Sequence, residues 1–116
     1  RLVSAADNGD YWEIGVAAAG ETTIKTVDDD GTAAHLNFVV DGDIILGPAG
    51  GDVLPDADAS RNLGSASKRW ANIYTNDLHL QNERGDWTII EEENDLTIRN
   101  NKTNKMYRFK LEEIED

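Results

Sequence analysis

The 116 residues include no cysteine. That excludes disulfide staples and any thiolate metal site. Basic side chains are scarce, with 11 Lys and Arg against 23 Asp and Glu, for a net charge of −12. The imbalance is steepest in the first half, where residues 1–60 carry two basic and twelve acidic side chains. Nucleic acid is excluded as a partner on that ground, because phosphate recognition needs a basic face. No apolar run approaches the roughly 18–20 residues of a membrane-spanning helix, so membrane insertion is not expected. Core material is also short. Leu, Ile, Val and Phe together number 26 of 116, about 22%, close to the level of roughly 20% at which highly charged chains stop folding. A monomer of this size ordinarily buries about two-thirds of its unfolded surface. Self-repulsion among the carboxylates works against that compaction. Several chains pooling one core would resolve the shortage.

What apolar residues there are follow a strand pattern. Trp12, Ile14 and Val16 alternate with polar neighbours, as in a half-buried strand. Thr22–Val27 is β-branched and ends in Asp28-Asp29-Asp30-Gly31, a turn. Ala34, Leu36, Phe38 and Val40 predict a further strand. Asp41-Gly42 then predicts a tight hairpin turn, with Ile44 and Leu46 resuming after it. The last third alternates most cleanly. Trp87 and Ile89, then Leu96 and Ile98, then Tyr107, Phe109 and Leu111 fall on one face. They predict a three-stranded antiparallel meander with one apolar and one charged face.

Between the two halves lies Asn62-Leu63-Gly64-Ser65-Ala66-Ser67-Lys68-Arg69-Trp70-Ala71-Asn72-Ile73-Tyr74. Gly64 accepts a positive φ, so a sharp turn is expected there. The expected division is an acidic β-rich stalk over residues 1–60, a joint with one strand over 61–81, and the meander as a tip over 82–116.

Asn62-Leu63-Gly64-Ser65, Arg69-Trp70 and Asn72-Ile73-Tyr74 together resemble a motif of bacteriophage tail fibres and other virion appendages. Thr22-Thr23-Ile24, Asp41-Gly42-Asp43-Ile44 and Leu46-Gly47 are similar to the shaft repeats of such fibres. Trp87–Glu91 through Tyr107–Leu111 is similar to their tips. The resemblance spans about residues 22–111. It implies an all-β, elongated homotrimeric fibre segment of short strands, located in the virion and ending in the meander as head. It also implies a bacterial cell-surface glycan or protein receptor and contacts with other virion proteins. A baseplate or decoration protein is the alternative. A glycan-cleaving fragment is a third reading, disfavoured because the chain has no room for a catalytic body. Leu63, Trp70, Ile73, Tyr74, Trp87 and Phe109 are the residues expected to pack three chains together.

No constellation of residues argues for catalysis. Glu91-Glu92-Glu93 are adjacent, so they point to different sides rather than converge as a glycosidase pair must. His35 and His79 stand alone, short of the three or four ligands of a zinc site. The acidic turns lack the spacing of a twelve-residue calcium loop and are read as solvated. No cofactor or metal is expected. The cationic stretch that includes Lys102, Lys105, Tyr107 and Arg108 is the candidate contact for anionic glycans. Its loops stand on a sheet, where binding residues commonly sit.

Overall fold

Where a β-branched run is followed by a turn that can reverse the chain, its nearest partner is the next such run. Two antiparallel sheets arise this way. The computed structural model describes residues 1–115, and among them there is no helix. The fold class is all-β.

The first sheet has the order β1-β2-β3. It is formed by β1 (Leu2–Val3), β2 (Tyr11–Val16) and β3 (Thr22–Val27). Ala17 N donates to Glu21 O at 2.9 Å, closing the loop between β2 and β3. The register sets Trp12 opposite Thr26, Ile14 opposite Ile24 and Val16 opposite Thr22. These side chains share one face because residues two apart on a strand point the same way. On the other face Glu13 stands opposite Lys25, and Arg1 reaches Glu13 at 3.4 Å.

The second sheet has the order β4-β5-β6-β7. Its strands are β4 (Leu78–Gln81), β5 (Asp86–Glu91), β6 (Leu96–Asn100) and β7 (Lys105–Arg108). The expected three-stranded meander is therefore four-stranded. The strand placed with the joint belongs to this sheet, because Leu78 and Leu80 pair with Ile89 and Trp87. Asparagines shape its turns. Asn82 Oδ1 accepts from Arg84 N and Gly85 N. Asn100 Oδ1 accepts from Lys102 N and Thr103 N. Such local bonds to backbone favour turns over continued strand. Phe109 N donates to Leu96 O at 3.1 Å, carrying the β6–β7 ladder one residue past its end.

The strands expected around Leu36–Val40 and Ile44–Leu46 do not form. Residues 33–77 contain no strand. A strand needs a neighbour for its N–H and C=O groups, and among the described residues no other segment pairs with this one as a strand. Val39 is 94% exposed. The turn at the joint does form. Gly64 has φ +86°, and Ser65 and Lys68 exchange backbone hydrogen bonds at 2.9 and 3.3 Å. A Cβ on Gly64 would stand 3.1 Å from Lys68 O and 3.4 Å from Trp70 Cδ1. The indole therefore folds back onto the turn.

The chain divides into two compact units, 1–54 and 55 onward. In neither unit, among the described residues, is an apolar side chain fully buried. The single fully buried side chain among the described residues is polar, Thr88.

Candidate functional site

The second sheet separates its chemistry by face. One face carries Leu78, Leu80, Trp87, Ile89, Ile98 and Tyr107, placed in two rows by the register. Trp87 and Tyr107 reach across β6, their ring centroids 5.9 Å apart and tilted by 45°. That spacing lies within the favourable range for aromatic pairs. Leu78, Leu80 and Tyr107 nevertheless remain exposed.

The opposite face carries a hydrogen-bonded cluster centred on Thr88, which is 1% exposed. Asn101 folds over it. Its Nδ2 donates to Asp86 Oδ1 at 2.7 Å and to Thr88 Oγ1 at 2.9 Å, while its Oδ1 accepts from Arg99 Nε at 3.0 Å. Thr88 Oγ1 lies 3.2 Å from His79 Nδ1. With Asn101 donating to it, the hydroxyl is free to donate its own proton to His79. Asn101 N also donates to Asp86 O at 2.9 Å. Five polar side chains from three strands and a turn thus satisfy one another. On the same face, Thr97 Oγ1 is buried without a partner among the described residues.

The residues expected to bind glycan divide between the two faces of the sheet and the β6–β7 turn. Lys105 and Tyr107 lie on the apolar face, in line with Asn100 and Ile98. Arg108 lies on the polar face and meets Asp95 at 3.3 Å. Lys102 sits in the β6–β7 turn, and its Nζ donates to Arg84 O at 3.2 Å. Of the residues expected to pack chains together, Trp87 is half-buried on the apolar face. Leu63, Trp70, Ile73, Tyr74 and Phe109 are exposed. A groove of about 570 Å³ lies at the β4–β5 turn, lined by His79, Gln81, Asn82, Arg84 and Trp87 among others. Its polar groups beside one indole suit a hydroxyl-rich ligand.

A second cluster lies in the first unit. Carboxylate oxygens of Asp7, Asp10 and Asp29 all lie within 4.8 Å of one another. The register explains this: Tyr11 opposite Val27 brings the turn before β2 beside the turn after β3. Asp29 packs against Gly9, where any side chain would overlap its carboxylate. Asp10 Oδ1 is buried and makes no hydrogen bond among the described residues. Partial desolvation first, then Asp28 and Asp7, push the Asp10 carboxyl above its ordinary range, outweighing a backbone N–H from Asp29. Asp30 is also raised, chiefly by the charge of Asp28. An all-oxygen donor set suits a hard divalent cation, but three carboxylates fall short of the six to eight ligands of a calcium site.

Asp7 and Asn101 are among the residues that reading the sequence missed, with Asp10, Asp86, Thr88 and Arg99. The first two are small polar turn residues, and only strand register reveals what they meet. Compared with protein-family models, with curated proteins and with solved structures, the chain matches none.

Proposed function

We propose that this chain is a segment of a homotrimeric bacteriophage tail fibre, a structural and adhesive protein rather than an enzyme. One observation carries the self-association. Within each unit the apolar face of the sheet stays open: Ile14 and Ile24 on the first and Leu78, Leu80 and Tyr107 on the second are exposed. A sheet with a single apolar face must cover it. No helix among the described residues is there to do so.

The virion reading rests on the joint and shaft motifs of the sequence. In it, the C-terminal sheet forms the head and the turns at its ends meet the host surface. Lys102 and Lys105 supply cationic contacts for an anionic surface glycan. Linked copies raise apparent affinity without new chemistry, because the second contact forms at high effective concentration.

Two measurements test this. Light scattering of the purified chain should give three chains per particle, and a folded single chain at high concentration overturns the reading. A glycan array should show binding that Lys102→Ala with Lys105→Ala removes while the particle mass is unchanged. Binding that survives the double substitution moves the contact elsewhere, with the groove lined by Gln81, Asn82 and Arg84 next in order.

A further inference from the structure

The second sheet ends in two open edges, β4 and β7, each four residues long. Neighbouring strands in this sheet are all antiparallel. Three steps separate β4 from β7, so the two edges run in opposite directions. Copies laid side by side with the same face inward therefore bring β7 of one against β4 of the next in antiparallel orientation.

Parity restricts the register. A slip of one residue would turn the apolar side chains of one copy to the polar side, so only even shifts keep the face continuous. The rows of the sheet run Leu80, Trp87, Asn100, Lys105 and Leu78, Ile89, Ile98, Tyr107. Extended in line, they set Tyr107 beside Leu78 of the next copy and Arg108 beside its Asp77. Closed sheets are staggered. A stagger of two residues sets Tyr107 beside Leu80, Phe109 beside Leu78 and Lys110 beside Asp77. Either way Asp77, just before β4, meets a cation at the end of β7 or two residues past it. Arg108 remains available: its side chain is 71% exposed despite Asp95.

We infer that β4 of one copy pairs antiparallel with β7 of a second copy, closing the sheets into a ring through a seam where Asp77 meets Arg108 or Lys110. This rests on the self-association proposed above and adds its geometry. Matched length, opposite direction, shared apolar parity and opposite charge single out another copy of this chain over a foreign strand. Pairing also removes both open edges, which otherwise template aggregation.

The test uses the unaltered chain. Light and heavy isotope-labelled chains are unfolded together, refolded and treated with a carbodiimide, which joins carboxylates to amines in contact. The expected product joins the peptide of Asp77 to that of Lys110 with mixed labels. Within one chain these strands lie three spacings apart, roughly 14 Å, so contact requires two chains. The absence of cysteine gives a second readout. His79→Cys with Met106→Cys reports the in-line register, and His79→Cys with Arg108→Cys the staggered one. Oxidation should convert one of these pairs from single-chain to multiple-chain bands on a denaturing gel. A multi-chain particle with neither the Asp77–Lys110 product nor either disulfide overturns the seam and leaves the fibre reading standing. A two-chain particle with the cross-link upholds the seam and overturns the threefold reading. A single-chain particle overturns both.

Discussion

The two faces of the C-terminal sheet meet opposite fates within one chain. The polar face closes on itself: Asn101 covers Thr88, ties Asp86 and receives Arg99. The apolar face stays open, with Leu78 and Leu80 each 47% exposed. A polar group withdrawn from water without a partner is costly, and the chain satisfies the cluster around Thr88 locally, though Thr97 Oγ1 stays unpaired among the described residues. Apolar surface has no directional demand and can be covered by any complementary surface. The sheet thus completes by itself what geometry must fix, and leaves open the face whose covering needs no directional bonds.

Substitution at Trp87 tests this contrast most severely. Trp87→Ala should cost about 3–5 kcal/mol, the usual loss for a large aromatic side chain removed from a closed core. The particle mass should fall with it. Urea unfolding at several protein concentrations is the measurement, since a pooled core makes the midpoint concentration-dependent. A loss within about 0.5 kcal/mol, as at ordinary surface sites, would mean that the face stays in water. On the other face, Asn101→Ala strands the carboxylate of Asp86 and leaves the hydroxyl of Thr88 with His79 alone. It should cost about 1–3 kcal/mol and leave the particle mass unchanged. If the mass changed too, the two faces would not be independent.

A smaller effect belongs to the joint. Gly64→Ala forces a side chain into the left-handed region, a cost of about 1–2 kcal/mol, and crowds Lys68 O. Thermal melting should register it. The effect on mass should be slight, because the turn is bonded within its own chain.

Much of the second sheet was legible in its sequence, for a physical reason. Trp87, Ile89, Leu96, Ile98 and Tyr107 alternate with polar residues, and strand geometry turns that alternation directly into a shared face. The reversed chain direction at Gly64 was legible too, since few other residues take φ +86°. The segment around Leu36–Val40 alternates equally well but forms no strand. Alternation states which face would be buried and says nothing about whether a partner strand exists. The polar cluster was hidden for a related reason. Asn101 looks like any turn residue until register places it over Thr88.

The smallest predicted effect concerns the first sheet, which differs from the second in gathering charges of one sign. Asp7, Asp10 and Asp29 meet there, with Asp28 and Asp30 beside them in sequence. The Asp10 carboxyl titrates above its ordinary value of 3.8, through partial desolvation and then the charges of Asp28 and Asp7. A raised carboxyl in the folded state holds its proton where the unfolded chain has already lost it. The folded state therefore binds more protons across that interval, and stability falls as pH rises. The contribution is fully present below the unfolded value and is lost as the pH climbs through the raised folded one. Asp30 acts in the same direction, through Asp28. Amide exchange of β2 and β3 at low salt should thus quicken, beyond its intrinsic pH dependence, as the pH rises above the ordinary carboxylate value of 3.8. Asp10→Asn should flatten that excess, since it removes the titrating group and one of the facing charges together. Added salt should flatten it as well, because the exposed members of the cluster are screened.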